Sequence, residues 1–199
     1  MPYYPDLSLV FIHIPKTGGT SIEKYMNKYN YPPVCKYMFN FPLINGHRQQ
    51  HCTFLEMKDQ IPNIENNKIF AIVRNPFHRM VSDVFFLKMF GVFDDIKDIN
   101  EKIHNLLLNS AESDHDNHLL PQYKYLLEEH GYINKNIHIM RTETLTDEFR
   151  RYGFEDFNLN ELKSGRPQDK YDSMLSESSK KLIKDFYRKD FELFYPELL

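Results

Sequence analysis

The segment Pro15-Lys16-Thr17-Gly18-Gly19-Thr20-Ser21 concentrates residue types that hold a phosphate. Two glycines let the main chain turn tightly and bring its N–H groups close to an anion. Lys16 adds a full positive charge, and Thr17, Thr20 and Ser21 add hydroxyl donors. A helix starting behind the glycines contributes its N-terminal partial charge. The standard ATP/GTP loop, G-x-x-x-x-G-K-[ST], puts its lysine directly after the last glycine. Here Lys16 precedes both Gly18 and Gly19, so that loop is absent. The plainer alternative is an ordinary turn into a capped helix.

A second group is Arg74-Asn75-Pro76-Phe77-His78-Arg79 with Ser82. An arginine at the C-terminal end of a strand presents a two-pronged donor suited to a phosphate monoester. Ser82 lies three residues from Arg79 and shares its helix face. The alternative is a surface arginine and a helical serine with no ligand. His47 and His51, four residues apart and followed by Cys52, admit a metal-ligand reading. No further ligand stands at a matching spacing, and no metal is expected. His13, inside an apolar run, is expected to be a core or rim histidine.

These residues need elements to position them. Leu7 to Ile14 is almost continuously apolar between Pro5 and Pro15 and reads as a buried strand. A helix is expected from about Ser21, since Thr20-Ser21-Ile22-Glu23 has the capping-box form. The proline-punctuated stretch Tyr31 to Asn66 reads as irregular, with one short strand and one short helix. Further strands are expected at Lys68 to Arg74 and Asn136 to Arg141. Further helices are expected at Phe77 to Phe90, Asp94 to Leu108, Pro121 to His130 and Leu145 to Tyr152. Ser176 should cap a last helix through Tyr187, while Asn109 to Asn117 and Asp156 to Tyr171 read as loops. Strands alternating with helices predict an α/β protein with a mainly parallel central sheet, in one domain over residues 1–199. Such sheets bind ligands at the carboxyl ends of their strands, which would bring Lys16 and Arg74 to one rim.

Phe11-Ile12-His13-Ile14-Pro15-Lys16-Thr17-Gly18-Gly19-Thr20-Ser21 resembles the 5′-phosphosulfate loop of sulfotransferases that use 3′-phosphoadenosine 5′-phosphosulfate (PAPS). Ala71 to Arg79 with Val81-Ser82 is similar to the 3′-phosphate motif of the same family, in the same order and at a matching separation. Gly46-His47 and His118-Leu119-Leu120-Pro121-Gln122 resemble the carbohydrate branch, and the likeness extends over about residues 7 to 195. The resemblance implies a three-layer αβα, P-loop-NTPase-like fold. It implies Lys16 at the oxygen bridging sulfur and 5′-phosphate, with Thr17, Gly18, Gly19, Thr20 and Ser21 around that phosphate. Arg74 and Ser82 would hold the 3′-phosphate, and Arg166 and Lys170 would close over the nucleotide. His47 would be the general base, with His51 its nearby competitor, and His118 and Gln122 would line the acceptor groove. The product would be adenosine 3′,5′-bisphosphate.

Composition narrows the partners. The chain has 199 residues, 41% hydrophobic and 27% charged, with a formal net charge of −3. That is globular, and it lacks the basic excess of a nucleic-acid binder. The acceptor implied is a hydroxyl, on a glycan by the resemblance; the charge gives no general support for a polyanionic one. Cys35 and Cys52 are too few for a disulfide scaffold and read as thiols in a reducing compartment. No secretory leader or membrane span is read, so a soluble, cytoplasmic protein of bacterial or viral type is expected rather than a Golgi one. The oligomeric state is not legible. Two other readings stand beside this one: a phosphotransferase using a nucleoside triphosphate, and a catalytically silent nucleotide-binding protein.

Overall fold

A computed structural model describes residues 2–31, 49–93, 95, 97–158 and 170–199. Cys35, His47 and Arg166 lie outside these residues. The chain groups into two compact units, Met1–Val73 with Gln122–Lys163 and Arg74–Pro121 with Ser164–Leu199. The architecture is mixed α/β.

The first unit carries a sheet in the order β1 (Tyr3–Tyr4), β2 (Leu9–Ile12), β3 (Lys68–Val73) and β4 (Ile137–Arg141). β2, β3 and β4 run parallel, with Leu9 opposite Lys68 and Ile69 opposite Ile137, while β1 pairs antiparallel with β2. All of β2 and all of β3 except Lys68 are buried, as strands covered on both faces must be. Helices α1 (Gly19–Lys28) and α6 (Leu145–Arg151) supply Ile22, Met26, Leu145 and Phe149 to a core shared with Phe11, Phe70, Ile72 and Met140. The Phe11 and Phe70 rings stack with centroids 4.7 Å apart. A short helix, α2 (Phe54–Lys58), starts with a capping box: the Thr53 hydroxyl accepts from the Glu56 N–H, and the Glu56 carboxylate accepts from the Thr53 N–H.

The second unit contains α3 (Pro76–Met89), α4 (Ile99–Leu108), α5 (Ser110–Ser113), α7 (Glu177–Phe186) and α8 (Arg188–Phe194). Asn75 caps α3 by accepting from the Phe77 N–H, and Pro76 occupies the first helical position. Of the residues that helical spacing marks for the core, Met80, Val81, Val84 and Leu87 are buried, whereas Phe85 is only partly so. Ser176 caps α7, as expected, by accepting from the Ser179 N–H.

Several boundaries differ from expectation, each for a local reason. Pro5–Leu7 forms a 3₁₀ turn closed by Ser8 at φ 46°, so β2 starts at Leu9 rather than Leu7. α1 starts at Gly19 with Gly18 as its N-cap, so Thr20 lies inside the helix and the expected Thr20–Glu23 capping box does not form; Glu23 pairs with His13 instead. α4 starts only at Ile99, where Asp98 accepts from the N–H groups of Asn100 and Glu101. Within the expected loop Asn109 to Asn117, four residues make α5. The expected helix from Pro121 to His130 is only a 3₁₀ turn at Gln122–Leu126, since Leu127 bridges to Ile133 and Gly131 reverses the chain at φ 77°. The last helix breaks at Tyr187, whose buried hydroxyl donates to the Leu119 carbonyl. Residues 49–66 contain α2 and two 3₁₀ turns but no strand. Cys52 is buried. Among the described residues, no helix is long and apolar enough to cross a membrane.

Candidate functional site

The loop that follows β2 belongs to the first unit. Its conformation is unusual at two residues: Lys16 has φ 67° and Gly18 has φ 99°. For a residue with a side chain the left-handed region costs roughly 1–2 kcal/mol. At Gly18 the backbone conformation, not space, asks for glycine: an added Cβ would meet Leu145 and Thr142 only at ordinary distances of 3.6 and 3.8 Å. At Gly19 the reason is space. A Cβ there would fall 2.1 Å from Nε2 of His13.

The hydroxyls of the loop divide their work. Thr17 is fully buried, and its hydroxyl donates to the Ile14 carbonyl at 2.8 Å, so that proton is used inside the loop. Ser21 is buried in the first turn of α1, whereas Thr20 is exposed and Lys16 half-buried. A lysine beside the start of a ten-residue helix, with left-handed backbone on both sides of Thr17, is an arrangement that gathers N–H donors around an anion.

Two braces hold this loop. Thr142, just past β4, donates its hydroxyl to the Thr17 carbonyl at 2.7 Å and to the Val73 carbonyl at 3.1 Å. One side chain thereby ties the ends of β3 and β4 to the loop leaving β2. The other brace is His13, whose Nδ1 lies 2.9 Å from Oε1 of Glu23, both side chains being buried. The carboxylate only accepts, so the proton sits on Nδ1. The His13 ring stacks on Phe11 and meets the ring of His51 edge-on, with centroids 5.3 Å apart in each case.

Arg74, Ser82 and Lys170 belong to the second unit. Arg74 is buried, with its guanidinium 5.7 Å from the centre of the Tyr171 ring. Ser82 is buried on α3, and Lys170 is exposed. Arg79, only 2% exposed, donates to the carbonyls of His118 (2.7 Å) and Leu120 (3.0 Å). One turn on, Asp83 accepts from Nδ1 of His118 at 2.6 Å, and Phe86 stacks on the same imidazole at 4.9 Å. Arg79, Asp83 and Phe86 thus form one stripe of α3 that grips the segment His118–Leu120. The Asp114 carboxylate accepts from the Leu119 N–H, and burial raises its pKa. Burial also pushes the Tyr187 phenol up.

His118 is therefore held through its ring and its carbonyl, and Gln122 is fully buried at the start of its 3₁₀ turn in the first unit. Three features escaped the sequence reading: the Thr142 tie, the His13–Glu23 pair and Asp83. A charged Asp83 one turn after Arg79 in an apolar helix was a signal for the last. Arg141 to Leu145 also fits the family resemblance, but nothing local shows what the Thr142 hydroxyl holds or joins His13 to Glu23 ten residues away.

A family model described as the sulfotransferase family matches residues 3–196. No curated protein and no solved structure gives a match.

Proposed function

The chain belongs to the sulfotransferase family, and on that premise we propose that it transfers the sulfuryl group of PAPS to a glycan hydroxyl. The domain is a single one over residues 1–199, of three-layer αβα, P-loop-like type. When bound, PAPS supplies a sulfuryl group whose bond to the 5′-phosphate breaks as the acceptor oxygen bonds to sulfur.

The residues then have separate tasks. Lys16 neutralises the charge that builds on the oxygen left behind on the 5′-phosphate. The main chain of Thr17, Gly18 and Gly19 and the first turn with Thr20 and Ser21 hold that phosphate. Arg74 and Ser82 take the 3′-phosphate, and Arg166 and Lys170 cover the nucleotide. His47 accepts the proton of the acceptor hydroxyl, as a group titrating near neutrality can. His118 and Gln122 face the acceptor. The larger part of the rate enhancement falls to Lys16 and its loop, because preorganised electrostatics is usually the largest contribution. These roles need no metal.

The observation that supports this reading is the left-handed, lysine-bearing loop between a buried parallel strand and the start of α1. The test is acceptor-dependent release of adenosine 3′,5′-bisphosphate from PAPS. Lys16→Ala should lower turnover by about 10²–10³ and His47→Ala by about 10²–10⁴. Arg74→Ala should chiefly raise the KM for PAPS. Full activity in both Lys16→Ala and His47→Ala would overturn the mechanism.

A further inference from the structure

The residues Ile14 to Gly18 form a loop with two stems, His13 on the β2 side and Gly19 on the α1 side. These stems touch: the imidazole lies where a Cβ of residue 19 would be, 2.1 Å from Nε2, 2.3 Å from Cδ2 and 2.6 Å from Cε1. Glu23, one helical turn beyond Gly19, reaches back to Nδ1 of His13 at 2.9 Å. Both side chains are 6% exposed. Phe11 stacks on the same ring and His51 meets it edge-on.

We propose that His13 and Glu23 are positioning residues that clasp the two stems of the Lys16 loop and thereby set its affinity for the nucleotide 5′-phosphate. The inference rests on the site reading given above. A buried carboxylate needs a donor to occupy it. The His13 N–H occupies it, and the same bond fixes the ring against Gly19. The loop then enters binding already shaped, and less affinity is lost to ordering it. A histidine that only filled core space would require neither a buried acid at its Nδ1 nor a glycine under its ring.

The consequence is confined to one end of the nucleotide. Calorimetry compares adenosine 3′,5′-bisphosphate with adenosine 3′-monophosphate in wild type, Glu23→Ala, Glu23→Asp and Glu23→Gln. Wild type should prefer the bisphosphate by about tenfold or more, roughly the strength of one charge-assisted contact. Glu23→Ala, and Glu23→Asp, whose shorter arm does not reach the ring, should abolish most of that preference. Both should leave 3′-monophosphate affinity within about threefold of wild type. Glu23→Gln keeps an acceptor for the Nδ1 proton and should retain the preference. A folded Glu23→Asp protein with the wild-type preference would overturn the inference even if Glu23→Ala fails to fold. Should wild type itself not distinguish the two nucleotides, the site reading falls and takes this inference with it.

Discussion

Lys16 is a residue at which backbone and side chain make opposite demands. Its φ of 67° favours glycine, yet the proposed chemistry needs the ammonium. Lys16→Gly should therefore separate the two. Chemical denaturation should find this variant no less stable than wild type, since the left-handed cost of roughly 1–2 kcal/mol is relieved. Its turnover should nevertheless fall by about 10²–10³. A variant that lost stability in proportion to activity would show that the lysine serves folding instead. Around Lys16 the sequence was informative because glycine, lysine and hydroxyl residues cluster within seven positions. It gave no warning that the Thr17 hydroxyl is turned inward to Ile14.

Among the elements, α3 shows how a motif can mix two purposes. Arg74, two residues before the helix, and Ser82 within it are proposed for the 3′-phosphate, whereas Arg79 is committed to the carbonyls of His118 and Leu120. Arg79→Met should cost about 3 kcal/mol in urea unfolding, as one buried and one partly buried carbonyl lose a charged donor. Arg79→Lys should recover only part, because an ammonium does not reproduce the planar two-pronged geometry. An Arg79→Met protein as stable as wild type would contradict this assignment. Elements marked by apolar runs or caps were legible: β3, β4, α3 and the cap of α7 lie where the residues indicate, and β2 forms within its expected stretch but only over Leu9–Ile12. The segment from Pro121 to His130 was not, because its helical spacing yields to the Leu127–Ile133 bridge, a pairing that depends on Gly131. Tyr187, at the end of α7, likewise makes a contact the local sequence does not show, donating to Leu119, 68 residues earlier in the chain.

For the molecule as a whole, a net charge of −3 says little about the site, since the proposed nucleotide contacts are local. Stability against pH is more telling. Burial raises the pKa of Asp114, so its ionised form is disfavoured in the folded protein and costs stability above the unfolded pKa. Asp114→Asn keeps an acceptor for the Leu119 N–H. At neutral pH it should melt at a higher temperature than wild type. The gap should close as pH falls through the raised folded pKa towards the unfolded value. A gap that widened on acidification would mean that Asp114 stabilises as an anion. At this scale the alternation of strands and helices was readable from the sequence, and the mixed α/β architecture follows from it. The division of the chain into two units was not, because its boundaries at Val73 and Gln122 fall inside continuous motifs.

The central claim is that the chain recognises a 3′-phosphorylated adenosine nucleotide through Arg74 and Lys16. Calorimetric titration with adenosine 3′,5′-bisphosphate tests it most directly, with ATP–Mg²⁺ and adenosine 5′-monophosphate as comparisons. Binding near about 1 μM, equivalent to roughly 8 kcal/mol, is predicted for the bisphosphate alone, with loss in Arg74→Ala. Absence of binding, or equal binding of ATP–Mg²⁺, would contradict the account.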